Sequence, residues 1–186
     1  MAESYRAFLA IDIDEKLIGK IEEIQEEFKK INANIKFVEI ENIHFTLKFF
    51  GNIDKNMVEE ISIATLNVLK EYEPMEIAIR GTGSFPNEDY IKVIWLGIKE
   101  NPQLIDLAKK LDEEFRKLGF KKERNYSPHL TIGRMRSPKN KKEVKEKIAT
   151  FKDTKIGKMN IDKISLKKSE LTPNGPIYSD IKTFDL

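Results

Sequence analysis

The chain has 186 residues, 34% of them charged and 40% hydrophobic, with a formal net charge of +2 and no cysteine. That length can bury a core without disulfides or metal staples, and the missing cysteines exclude disulfides, thiolate zinc sites and cysteine nucleophiles. No run of 18 apolar residues occurs, and the opening MAESYRAFLAIDID sets acidic residues on both sides of a short apolar stretch, unlike a basic leader, so the expectation is a cytoplasmic protein without a membrane segment.

In chain order, Tyr5 to Ile13 reads as a strand, and Asp14 is a suitable cap for a helix with Leu17, Ile18, Ile21, Ile24, Phe28 and Ile31 at helical spacing. Ile43 to Phe50 returns to strand chemistry. Asp54 or Asn56 can cap the next helix, to about Tyr72, with Val58, Ile61, Ala64, Leu66 and Leu69 as its apolar stripe. Met75 to Ile79 alternates as a strand, GTGSFPNED (residues 81–89) is turn-rich, and Ile91 to Ile98 is a strand. Asn101-Pro102 opens a helix to about Leu118. There follow a strand at His129 to Met135, a basic helix from Ser137 to Ala149, a strand from Ile161 to Leu166, a turn on Pro173, Asn174 and Gly175, and a last strand near Tyr178 to Phe184.

The two histidines stand in matching patterns, HFTL at 44–47 and HLTI at 129–132, which are 85 positions apart. The same offset lays Arg6 to Asp14 on Ile91 to Lys99, the helix start near Lys16 on Asn101, and Met75 to Ile79 on Asn160 to Ile164. Five elements in one register argue for a single domain over 1–186 built on a repeat, about 5–85 and 90–171, with a C-terminal strand at 176–186. Charge is uneven: Lys121 to Lys147 holds ten Lys or Arg and three Glu, a local +7. Lys139 to Lys147 reads as a solvated helix face, whereas Arg124, Arg134 and Arg136 close to the second histidine suit a polyanion equally well.

Side chains alternate along a strand, so His44 and Thr46 share one face against Phe45, Leu47 and Phe49, and His129 and Thr131 share one against Leu130 and Ile132. Two like halves facing each other bring the imidazoles to opposite walls of one cleft. In-line displacement at phosphorus needs a base on the attacking side and an acid on the leaving side, and imidazole serves as either near neutral pH. Threonine hydroxyls can donate to phosphate oxygens. The competing metal site lacks carboxylate partners, since Asp12 and Asp14 share a face but Asp14 is better used as a helix cap. The run Arg80 to Gly83 lacks a phosphate loop's ending and reads as a bulged strand end. Phe85, Tyr90 and Trp95 could stack on a base, with core packing the simpler reading for Trp95.

These motifs, with RAFLAID, HFTLKFFG, GTGSFPN, PHLTIGR and GPIYSDIKTFDL, resemble the 2H phosphoesterase superfamily, and within it the RNA 2′,3′-cyclic phosphodiesterases, or 2′-5′ RNA ligases, of bacteria and archaea. The resemblance implies a bilobal α+β fold, two pseudo-symmetric lobes each with an antiparallel sheet and helices around a central cleft. It implies hydrolysis of RNA 2′,3′-cyclic phosphate ends to 2′-phosphates, with reversible 2′-5′ ligation as an associated activity. By position, His44 matches the proton donor, His129 the proton acceptor, and Thr46 and Thr131 the phosphate-binding residues. Arg134 matches a further anion-holding residue, which strict alternation puts on the wrong face unless a bulge intervenes, with Gly133 the candidate. The expected partner is RNA with cyclic phosphate ends, tRNA halves among them, acted on by a monomer. No metal or cofactor is expected for hydrolysis, and a nucleotide requirement for ligation stays open. The alternatives are a 2H enzyme for a small cyclic nucleotide and a non-catalytic module that binds RNA ends.

Overall fold

The computed structural model describes residues 4–123, 126–173 and 175–186, so the expectations for Arg124 and Asn174 fall outside the described residues. The elements run β1 (Ser4–Asp12), α1 (Ile18–Lys29), β2 (Ile35–Phe37), β3 (His44–Asp54), α2 (Lys55–Leu69), β4 (Met75–Asn87), β5 (Tyr90–Ile98), α3 (Pro102–Lys117), β6 (His129–Met135), α4 (Lys141–Thr150), β7 (Lys155–Ile161), β8 (Lys163–Thr172) and β9 (Gly175–Asp185). The fold is α+β, a curled antiparallel sheet with four helices. Its strand order is β7-β4-β5-β6-β3-β1-β8-β9, with β2 paired to β6.

Helices α2 and α3 start where side-chain caps satisfy free amides. Asp54 accepts from the Met57 amide at 2.8 Å and Asn101 from the Leu104 amide at 2.9 Å, with Pro102 in the first turn. Asp14 caps a short 3₁₀ turn that leads into α1. Apolar side chains of all four helices meet Ala7, Leu9 and Ile11 of β1 and the matching residues of other strands in one core. Phe8 and Ala10 are as buried but stand outside that cluster, on the opposite face of β1.

Two four-stranded groups, β7-β4-β5-β6 and β3-β1-β8-β9, meet at one residue pair, Phe45 with Leu130. Those residues are 85 positions apart. Each group takes a strand from the other half of the chain: β4 pairs with β5, and β8 pairs with β1.

Several local expectations need correction. The stretch 81–87 is strand, because β4 continues through an irregularity between Ile79 and Thr82 to pair with β5 as far as Asn87. Gly81, at φ +77, takes the left-handed backbone conformation there, where a Cβ would lie 2.2 Å from the Lys152 carbonyl. The single strand expected at Ile161 to Leu166 is two, β7 and β8, broken at Asp162. Strand β2 has no counterpart in the expected order, being three residues held by pairing to β6. In α2, Leu66 is 42% exposed, while Ser62 and Thr65 are buried. Their hydroxyls donate to the Val58 and Ile61 carbonyls one turn back, which removes the cost of burying them.

Candidate active site

His44 and His129 begin β3 and β6, the two strands that meet at Phe45 and Leu130. Counting one residue outward from that antiparallel pair sets His44 across from Thr131 and Thr46 across from His129. All four side chains are half-buried. The imidazoles interact electrostatically, since a charge on His129 disfavours a charge on His44.

Both rings are held alike. The Nδ1 of His44 lies 2.8 Å from the Asn42 carbonyl, and that of His129 lies 2.7 Å from the Ser127 carbonyl. A carbonyl accepts only, so Nδ1 carries a proton in each ring and Nε2 is left to exchange one. The His44 Nε2 is 3.0 Å from the Thr46 hydroxyl. Around His44 pack Phe8 at 4.8 Å and Tyr178 edge-on at 5.3 Å between ring centroids; around His129 pack Phe85 at 4.8 Å and Trp95 at 6.5 Å. A hollow of about 250 Å³, lined among others by Trp95, Gly97, Tyr126 and Pro128, adjoins His129.

Burial pushes both histidines below the ordinary imidazole range. At His44 the Asn42 carbonyl and the Asp12 carboxylate oppose that shift, while Lys167 and His129 add to it; at His129 the Ser127 carbonyl opposes it and Arg134 adds to it. The environments differ at one equivalent position. His44 pairs across the sheet with Asp12, and His129 pairs with Gly97, which is 85 residues after Asp12. Only His44 therefore has a carboxylate on the neighbouring strand to favour its cation.

Each histidine-bearing strand bulges after its HxT pattern. On β3, Thr46 pairs with Ala10 and Lys48 with Leu9, leaving Leu47 out of the ladder; on β6, Thr131 pairs with Trp95 and Gly133 with Ile94, leaving Ile132 out. The bulge switches the faces that follow. Phe49, expected behind the site, is 65% exposed and lies 5.7 Å from Phe8. Arg134 reaches the face of His129, with a bulge at Ile132 rather than Gly133, and its charge acts on both His129 and Tyr178. Gly133 instead faces the core, where a Cβ would come 2.8 Å from Ile35.

Buried polar groups fix these bulges. Gln25, 3% exposed, donates from Nε2 to the Ile132 carbonyl at 3.0 Å and the Val38 carbonyl at 2.8 Å, and the Val38 amide also donates to Ile132 at 3.1 Å. Beneath the β3 bulge the Lys48 ammonium is 2.7 Å from Asp112 and also donates to the Lys121 carbonyl. The acidic partners of Lys167, Asp12 at 3.0 Å and Asp180 at 2.6 Å, tie β1, β8 and β9 together beside His44.

Of the aromatic candidates, Phe85 and Trp95 stand at His129, Trp95 with its ring across Gly83, where a Cβ would be 2.3 Å away. Tyr90 lies at the end of the β4–β5 hairpin under the Lys92 ammonium. Sequence reasoning did not single out Phe8, Asn42, Gln25, Ser127 or Tyr178. The parity of Phe8 with Asp12 on β1 was a usable signal; Tyr178 arrives from 134 residues downstream of His44 and gave none. Among the described residues no three His, Asp or Glu form a metal-binding group, and no helix is long and apolar enough to cross a membrane.

The family model of the 2′-5′ RNA ligase superfamily matches residues 13–172, which includes both histidine patterns and the bulges behind them. The chain belongs to the 2′-5′ RNA ligase superfamily. Relatives named RNA 2′,3′-cyclic phosphodiesterase include one from Methanothermobacter thermautotrophicus, 49% identical over 97% of this chain and 98% of the relative. Another, from Methanocaldococcus jannaschii, is 47% identical over 95% and 98%. Among solved structures, a Thermus thermophilus protein superposes with a TM-score of 0.82 at 23% identity, covering 97% of each chain. The apo form of E. coli LigT gives 0.79 at 21%, covering 99% of this chain and 98% of LigT. At those identities the superpositions show the shared fold alone.

Proposed function

We propose that this protein hydrolyses RNA 2′,3′-cyclic phosphodiester ends to 2′-phosphomonoesters, with His129 as general base and His44 as general acid. The observation that carries the chemistry is the pair of imidazoles on strands joined at Phe45 and Leu130, each with Nδ1 fixed to a carbonyl, which leaves Nε2 to exchange a proton. The names of relatives at 49% and 47% identity over nearly the whole chain support the substrate, and E. coli LigT has been crystallised with 3′-AMP.

His129 takes a proton from water at Nε2 as the water oxygen bonds to phosphorus. The P–O3′ bond breaks and His44 gives its Nε2 proton to the departing 3′-oxygen, leaving a 2′-phosphate and a 3′-hydroxyl. Asp12 beside His44, against Gly97 beside His129, favours this assignment over its reverse. Thr46 and Thr131 donate to non-bridging oxygens, and hydrogen bonds at the half-buried imidazoles are strengthened by the reduced solvent around them. The two nitrogens complete the proton transfers, so we assign no metal to hydrolysis.

In ligation an RNA 5′-hydroxyl replaces water at His129, beside the hollow lined by Trp95 and Tyr126. A monomer acting in the cytoplasm on tRNA halves is the setting proposed. Sedimentation and the junctions formed from tRNA halves test the assembly and the substrate.

The decisive experiment is turnover of a short RNA with a 2′,3′-cyclic phosphate end in EDTA, with the product end analysed. His44→Ala and His129→Ala should each lose at least ~100-fold with the fold intact. Full activity in either variant removes that residue from the mechanism, and a 3′-phosphate product reverses the leaving-group assignment.

A further inference from the structure

Lys36 of β2 and Arg134 of β6 are direct cross-strand partners. Their neighbours Ile35 and Phe37 turn to the core, so Lys36 faces the other way, on the side where Arg134 acts on His129 and Tyr178. Both cations are exposed, and neither is in an ion pair among the described residues. Like charges placed directly opposite on neighbouring strands destabilise a sheet. Two other cations near the site are neutralised instead: Lys167 between Asp12 and Asp180, and Lys48 against Asp112.

The cost at Lys36 and Arg134 is relieved when an anion bridges them. The bulge at Ile132, locked by Gln25 and Val38, is what turns Arg134 onto this face, so the pairing follows from the architecture of β6. Because Ile132 is bulged out, Arg134 lies two ladder positions beyond Thr131, at a rise of about 3.3 Å per position along a strand. Lys36, one strand further from His129 than Arg134, extends the cationic face away from the histidine pair.

We infer that Lys36 and Arg134 form a second anion site that holds the backbone phosphate adjoining the terminal nucleotide of single-stranded RNA. A nucleoside 2′,3′-cyclic phosphate has only the reacting phosphorus and leaves this site empty; an oligonucleotide end fills it. Resting on the hydrolytic reading above, the site makes the enzyme selective for RNA ends over cyclic mononucleotides.

The test compares kcat/KM for a cyclic mononucleotide with that for a short oligonucleotide bearing the same terminal base and cyclic phosphate, in the wild type and in Lys36→Ala and Lys36→Glu. The wild type should prefer the oligonucleotide. Lys36→Ala should lose about tenfold on it, as expected for one charge-assisted phosphate contact, while mononucleotide turnover stays unchanged. Lys36→Glu should lose more on the oligonucleotide only, and the slope of log affinity against log salt should fall by about 0.7 in Lys36→Ala, as for one single-strand phosphate. Equal losses on both substrates, no loss on either, an unaltered salt slope, or wild-type preference for the mononucleotide each overturn the inference. Mononucleotide turnover in the wild type reports separately on the hydrolytic reading.

Discussion

The Lys48–Asp112 pair lies directly under the bulge that shapes the site. Its ammonium is 3% exposed and its carboxylate 10%, at 2.7 Å, and that carboxylate also accepts the Glu123 amide at 3.1 Å. Asp112→Ala leaves a buried cation facing the Lys121 carbonyl and Glu123 at 3.5 Å, but Glu123 is half exposed and screened. Breaking a buried pair by removing one partner costs about 3–5 kcal/mol, and the partial compensation from Glu123 sets the expectation at about 3 kcal/mol. For a chain of this size about 2–4 °C is lost per kcal/mol, so the melting temperature should fall by roughly 6–12 °C. The double variant Lys48→Met, Asp112→Leu removes both charges at similar volume and should recover most of that loss. Urea unfolding and calorimetry on the three proteins read both numbers. A cost below about 1 kcal/mol for Asp112→Ala, or a double variant as unstable as the single, refutes the claim that an uncompensated buried charge dominates here.

The pH behaviour follows from the two histidines. Burial holds both below the ordinary range, so kcat/KM should peak on the acid side of ~6.5, and kcat should peak at higher pH because a bound phosphate anion favours both imidazolium forms. The limbs belong to the interacting pair. Between the lowered folded pKa values and ~6.5 the unfolded chain binds more protons than the native one, so stability should fall as pH drops through that window; a flat melting temperature there contradicts the burial argument. Asp12→Asn should lower the His44 pKa in an NMR titration, with the only other imidazole, His129, as internal reference; equal shifts in both rings count against a specific Asp12 effect. Gln25→Leu leaves the Val38 carbonyl without its side-chain donor and should cost about 1–3 kcal/mol by urea unfolding, and a change within error shows that the bulge holds itself.

The two HxT patterns, their offset of 85 and their strand context sufficed to name His44, Thr46, His129 and Thr131 as one constellation, because strand alternation and a repeat are both properties of local sequence. Most helix starts were legible for the same reason: Asp54 and Asn101 cap within three residues of themselves. The faces of Phe49 and Arg134 were not. Their orientation depends on bulges at Leu47 and Ile132, which are defined only against partner strands β1 and β5. Strand β2 exists because β6 pairs with it, and its three residues have too little period to announce themselves.

The sequence alone narrowed the candidates for proton exchange to His44 and His129, since two histidines and no cysteine leave few choices. Tertiary structure decided how those groups differ from one another. Asp12 and Gly97 occupy equivalent places opposite the two histidines, Tyr178 closes over His44 from the last strand, and Lys36 meets Arg134 across a ladder. Charge and burial act through space, and these contacts join residues about 30 to 130 positions apart, so no local window of the chain contains them.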